Sequence, residues 1–344
     1  MKACILVLML VLLPIRAEAA EFIAPSVPEA AEEWMADTGN FGEGLLQLLE
    51  KVLPRLRPDL AEAGRISLGV ICALLMISLL QAVSGSVSTT SDFAGSIAVS
   101  GMLLFSTNSL IGLAADTIQQ MSEYGKLLLP VMTAALAAQG GITGSAALYS
   151  GTTLFNGLLT GFISKLLMPM VYLFLALSTA NCAIGEDVLK HLRDLIKNCV
   201  SWFLKTVLTV FTTYMSITGV VSGTTDAATL KAAKVTISSV VPVVGGILSD
   251  ASEAVLVSAG LAKNAAGIYG ILAILAVFLR PFLQIGVHYL MLKFTAAIGS
   301  VFGTKRMSDL IGDYSTAMGL LLAMTGAACL LLLISTVCFL KGVA

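Results

Sequence analysis

Lys126 to Ala147 reads KLLLPVMTAALAAQGGITGSAA, an apolar run with a proline inside it that dissolves into small residues. A second stretch, Ser239 to Ala251, reads SVVPVVGGILSDA and repeats the plan. Each starts as an apolar helix and meets a proline, Pro130 or Pro242, which removes a backbone donor and disfavours helix at the residue before it. Each then reaches a glycine pair, Gly140 and Gly141 or Gly245 and Gly246, where helix is weakest. In hydrocarbon a freed backbone group finds no water, so a broken apolar segment persists only inside protein or along a wet cavity. Both stretches are therefore expected at the working centre, either re-entering the membrane or crossing it as short pairs.

The rest of the chain fits that setting. Of 344 residues, 57% are hydrophobic and 12% charged, against about 25% charged in soluble domains, which marks a membrane protein with the lipid bilayer as its surroundings. A net charge of −1 and the lack of a basic stripe exclude nucleic acid as an expected partner. Six cysteines, Cys4, Cys72, Cys182, Cys199, Cys329 and Cys338, lie mostly in apolar runs without Cys-x-x-Cys spacing. They read as small buried hydrophobes, not as a disulfide frame or metal site.

Residues 1–20 look like a signal peptide, with Lys2, an apolar core from Ala3 to Leu13 and the small residues Ala17, Ala19 and Ala20. The core is shorter than the roughly 20 residues a spanning helix needs. Residues 21–64 form an acidic extracytoplasmic segment, in which Phe41 to Leu53 is expected as an amphipathic helix ended by Pro54. Residues 65–115 make a membrane hairpin. Residues 116–223 and 224–344 read as two membrane repeat units.

The expected fold class is all-α and polytopic, with about eight transmembrane helices and the two proline/glycine-broken, re-entrant-like segments. The crossings are placed at Ile66 to Val87, Phe93 to Ala115, Gly144 to Ser164, Leu166 to Gly185, Val200 to Val221, Asn264 to Leu279, Phe282 to Phe302 and Ala317 to Leu340. Amphipathic segments at Glu186 to Cys199 and Gly303 to Thr316 precede the last crossing of each half. The punctuation keeps step between the halves. Pro130 and Pro242 lie 112 residues apart, as do Pro169 and Pro281, and Asp194-Leu195-Ile196 returns at Asp309-Leu310-Ile311. With three spans and one broken segment per unit, the second copy is expected to be inverted, the build of many transporters. Basic residues are balanced across the loops, so sidedness rests on the signal peptide alone.

Few groups could do chemistry. The chain has no P-loop, no HExxH and no Ser or Cys nucleophile with a plausible base, so neither an enzyme nor a cofactor is expected. Ionisable residues at membrane depth are the functional candidates: Asp250 and Glu253 after the second glycine pair, and His288 and Lys293 on one span. Each of these could equally serve packing.

The runs LLPVMTAALAA from Leu128, VPVVGGILSDA from Val241 and LAKNAAGIYG from Leu261 resemble the stage III sporulation protein AE family of endospore-forming bacteria. The likeness covers roughly Ile66 to the C-terminus, and the Pro-Val-Val-Gly-Gly run is its most specific part. The resemblance implies a multi-pass protein of the outer forespore membrane, made in the mother cell. It implies a transenvelope channel or export complex with the other stage III A operon proteins and stage II sporulation protein Q, which supports late forespore gene expression. It supplies no catalytic residue. Two further readings remain open, a self-sufficient secondary transporter and a passive scaffold. The number of copies, a homo-oligomer included, is left open as well.

Overall fold

The computed structural model describes residues 25–35, 40–84, 88–138, 142–184, 187–217, 265–302 and 305–342. The signal-like segment and the whole second proline-glycine stretch, with Pro242, Gly245, Gly246, Asp250 and Glu253, lie outside the described residues, as do Gly140 and Gly141.

Every regular element among the described residues is helical. A single turn, α1 (Glu29–Glu32), precedes six long rods: α2 (Phe41–Ser84), α3 (Ser88–Ala138), α4 (Ile142–Phe162), which continues through a π-helical turn (Ile163–Leu167) into α5 (Met168–Ile184), α6 (Asp187–Ile217), α7 (Ala265–Phe302) and α8 (Lys305–Gly342). Among the described residues, five helices are long and apolar enough to cross a membrane, Phe41–Leu80, Phe93–Ala137, Ser145–Ile184, Gly267–Val301 and Lys305–Leu340. The described part is thus all-α and multi-pass, and there the short crossings expected from hydropathy at 144–164 and 166–185, and at 264–279 and 282–302, join into longer rods.

Proline explains most of the difference. Pro54 and Pro58 do not end the amphipathic helix; α2 runs through both, and α3 runs through Pro130. All three stand on exposed positions. An interior proline costs one hydrogen bond and about 3 kcal/mol, which a helix of forty or fifty residues can bear. Pro281 likewise lies inside α7, so the two crossings expected on either side of it are one helix. At Pro169 the chain takes another course. The carbonyl that this proline cannot serve belongs to Lys165, within the π-turn, and the wider turn absorbs the mismatch without ending the rod.

Direction follows from the contacts. Ser100 meets Thr179 and Tyr172 bonds Asn108, so α4–α5 runs antiparallel to α3. Leu128 lies against Gly270, while Thr107 and His288 line one cleft, so α7 is antiparallel to α3 as well. The helices that the repeat would match, α4–α5 and α7, therefore run the same way. Among the described residues the matched helices thus give no support to an inverted second copy.

The last helix is the hub. In α8, 94% of the most apolar 18-residue window is buried, as expected of a helix that is apolar all round. Its buried hydroxyls satisfy themselves locally, Thr325 on the Leu321 carbonyl, Ser335 on Leu331 and Thr336 on Leu332. It pairs with α7 through Ser308 on the Ala296 carbonyl (2.7 Å) and Ser315 on the Tyr289 carbonyl (3.1 Å). Against α3 and α4 it packs at Gly125, where an added Cβ would stand 2.7 Å from Leu332 and 3.2 Å from Asn156.

The bundle is longer than a bilayer is thick. At 1.5 Å per residue the 51-residue α3 reaches about 75 Å, against roughly 30 Å of hydrocarbon. The half bearing the turns after Ser84, Ile184 and Phe302 exposes Leu75, Leu79, Phe93, Phe105, Leu173 and Phe294, the lipid-facing belt. At its edge the same helices turn polar, with Arg57, Glu62 and Arg65 exposed on α2 and Asp116 and Gln119 on α3. Beyond that edge α4 and α6 stay apolar outside, at Leu154, Leu158, Trp202 and Val210.

Candidate functional site

Within the belt, α2, α3 and α7 part enough to leave a small cleft lined by Ala63, Ser67, Leu103, Ser106, Thr107 and His288. The reason lies in side-chain spacing. Asp59, Ala63 and Ser67 recur every fourth residue, which places them on one face of α2, and that face is buried at all three. Small and polar residues there fill less volume than the leucines around them.

His288 is buried, at 5% exposed, and its Nδ1 lies 3.0 Å from the Gln284 carbonyl. A carbonyl can only accept, so Nδ1 carries the hydrogen and Nε2 of the neutral ring is left as an acceptor. Ser67 Oγ is buried with no hydrogen-bond partner, and so are one carboxylate oxygen of Asp59 and Nε of Arg280. Asp59 lies within electrostatic reach of both Arg280 and His288. Buried polar atoms are nearly always bonded to protein or to ordered water; the rest of the cleft wall is apolar, from Ile66, Leu110, Met291 and Leu292.

A second polar cluster sits where α6 meets the hub. Arg193 donates from Nη1 to Asp313 at 2.5 Å and from Nη2 to its neighbour Asp194 at 3.0 Å. The Arg193 and Asp313 side chains are only 10% and 14% exposed. Nearby, Ser100 meets Thr179 at 3.0 Å, and the Tyr314 hydroxyl lies 3.5 Å from the Ser100 carbonyl. Among the described residues no group of three or more His, Cys, Asp or Glu could hold a metal ion.

Of the candidates taken from the sequence, the structure places three. Pro130 is exposed on a continuous helix, not at a break; α3 ends at Ala138 and α4 begins at Ile142, which brackets the glycine pair instead. His288 faces the cleft. Lys293 does not join it: five residues on, about 140° around the helix, it is exposed, with Nζ 3.2 Å from the Tyr289 hydroxyl and over that ring. Cys182, Cys329 and Cys338 are buried, whereas Cys72 and Cys199 are exposed, and none of these five is in a disulfide. Asp59, Ser67, Arg193 and Asp313 were missed. Asp59 was hidden among the nine acids of residues 21–64 by the helix end placed at Pro54; carrying the helix through that proline puts it on the Ala63 and Ser67 face. Asp194-Leu195-Ile196 and Asp309-Leu310-Ile311 did mark the two segments that the ion pair joins.

The family model described as Stage III sporulation protein AE matches residues 33–342. A curated relative from Bacillus subtilis (strain 168), the Stage III sporulation protein AE, is 30% identical over 218 residues, which is 61% of this chain and 54% of the relative. The aligned stretch thus spans about half the length of that relative. No solved structure matches.

Proposed function

Because the chain belongs to the stage III sporulation protein AE family, we propose that it is an integral membrane component of a sporulation transenvelope channel or export complex. It serves there without enzymatic activity of its own. Its place is the outer forespore membrane, its partners are the other stage III A operon proteins and stage II sporulation protein Q, and the complex sustains late gene expression in the forespore. The observation that carries the reading is the extent of the match, from residue 33 to residue 342, over a chain whose long helices suit a bilayer. The burial of α8 from all sides favours a component over a self-sufficient pore, since its own centre is filled by side chains. A conduit then forms where this bundle meets partners.

The reading is tested in a sporulating strain whose own copy is replaced by an affinity-tagged chain. Purification from engulfed cells is expected to bring down the operon partners, and deletion is expected to abolish a late forespore reporter. A tagged chain that restores sporulation but is recovered without any of those partners would refute the assignment to a complex. Single cysteines at Thr143 and Ser249, in a background without native cysteines, address the pathway: labelling by an impermeant reagent supports a conduit lined by the two glycine-rich stretches, and full protection from both sides favours a scaffold.

A further inference from the structure

Among the described residues α6 is the one long rod outside the set apolar enough to cross a membrane, yet it packs along helices that do cross, α5 and α8. Its Arg193 bonds Asp313 on α8, and the next residue, Tyr314, sets its hydroxyl 3.5 Å from the Ser100 carbonyl on α3. Ser100 stands between Phe93 and Phe105, which are 51% and 88% exposed. The level of Arg193 is therefore a level of the lipid-facing belt. Lys190 and Lys197 lie only about 4.5 and 6 Å from it along the axis, one on either side.

At this level the outside of α6 is divided. Lys190, His191, Asp194, Lys197, Asn198 and Ser201 fall within about 120° of one another around the helix, and all are exposed or half-buried. Leu192, Leu195 and Cys199 hold the adjoining arc and are exposed as well. The apolar arc suits lipid. The polar arc does not, because ionisable groups at membrane depth face water or polar protein. Lys205, about 18 Å beyond Arg193, stands near the polar edge and can snorkel to headgroups. Lys190 and Lys197 stand well inside the belt, and the amide of Asn198 has no long stem to carry it out.

Charge favours water over a protein wall. Neither Lys190 nor Lys197 has an ion pair among the described residues, and the one acid of the arc, Asp194, is held by Arg193. On the neighbouring α8 the exposed Lys205-side turn gives way to Lys305 and Arg306, which outnumber the exposed Asp309. A protein wall would have to bring acids of its own, whereas water solvates these lysines as they stand. Resting on the reading of the chain as a conduit component, we propose that the polar arc of α6 is one wall of a water-filled path through the membrane whose lysines favour small anions. Cationic walls of low dielectric concentrate anions, and cationic linings select them in pores.

The test uses the full chain, tagged and without its native cysteines, in membranes from sporulating cells after engulfment. Single cysteines replace Asn198 on the polar arc and Leu192 on the apolar arc, in variants that still sporulate. Each is treated with an anionic and a cationic methanethiosulfonate reagent of similar size. Asn198→Cys is expected to react about tenfold faster than Leu192→Cys, because the ionised thiol is the nucleophile and hydrocarbon suppresses it. It is also expected to react faster with the anionic reagent than with the cationic one. A nearby lysine ionises the thiol for both reagents alike, so their ratio reports the potential of the path. Lys197→Gln in the same background is expected to bring that ratio close to unity. If Asn198→Cys does not sporulate, Ser201→Cys takes its place with the same expectations. A thiol on the polar arc as slow as Leu192→Cys overturns the path and assigns the arc to a protein contact or to lipid. A ratio at or below unity, or one that Lys197→Gln leaves unchanged, overturns the preference for anions. Pull-down of the tag from the same membranes separates this inference from the reading beneath it: operon partners recovered with a protected thiol sink the path alone, and rapid labelling without partners sinks the complex alone.

Discussion

The ion pair between Arg193 and Asp313 gives an asymmetric prediction. Arg193→Met removes the only cation described beside Asp313, whose side chain is 14% exposed, and leaves a carboxylate uncompensated inside the bundle. Breaking a buried pair in this way costs about 3–5 kcal/mol. Asp313→Leu is milder, because Arg193 keeps Asp194 at 3.0 Å, a partner 42% exposed and open to solvent. Its expected cost is about 1–3 kcal/mol, that of losing one charged hydrogen bond. Replacing both removes the desolvated charges together, which in buried pairs is often close to neutral. The double variant should therefore be more stable than Arg193→Met alone. At roughly 2–4 °C per kcal/mol for domains of 150–250 residues, Arg193→Met should lower the melting temperature by about 6 °C or more. The assay is thermal melting of the detergent-purified chain followed by helical signal, run as a double-mutant cycle. Equal losses in the two single variants, adding in the double, would refute the reasoning and mark the pair as surface-like.

Three other outcomes are expected. A Cβ at Gly151 would overlap the Tyr214 ring, whose hydroxyl donates to the Ala147 carbonyl at 2.8 Å, so Gly151→Ala should cost about 1–3 kcal/mol as overpacking; Tyr214→Leu in the same chain should restore part of the loss in the same melt. Pro130→Ala should leave melting unchanged or raise it, by up to about 3 kcal/mol, and should leave sporulation intact, because the helix already runs through that position. Trp34 is buried, with the guanidinium of Arg55 5.0 Å and that of Arg280 5.8 Å from its ring. Trp34→Ala should cost about 3–5 kcal/mol and expose the residues before Phe41 to limited proteolysis while the bundle stays intact.

Much of the architecture could be read from composition and period. An apolar, weakly charged chain with long runs had to be helical and membrane-bound, since hydrocarbon leaves backbone groups few other ways to be satisfied. The helix ends were misread because proline was taken as a stop. The rule describes a local cost of a few kcal/mol, and at Pro54, Pro130 and Pro281 the rest of a long helix outweighs it. His288 was legible because a lone histidine in an apolar run stands out, and helix geometry already set Lys293 about 140° away from it; the packing of α7 against α2 and α3 showed which of the two is buried.

By itself, the sequence determined the solvent, the helical class and the positions where polarity interrupts apolar runs, for these follow from side-chain transfer energies summed along the chain. The tertiary structure decided the rest: that α8 is the hub, that matched helices of the two halves run in one direction, that Ser67 and His288 share a cleft with Asp59 within electrostatic reach, and that Arg193 and Asp313 share a bond. The physical reason is the separation involved. Asp59 and His288 are 229 residues apart, and Arg193 and Asp313 are 120 apart. No local propensity carries that information, and only the mutual burial of whole helix faces brings such groups together.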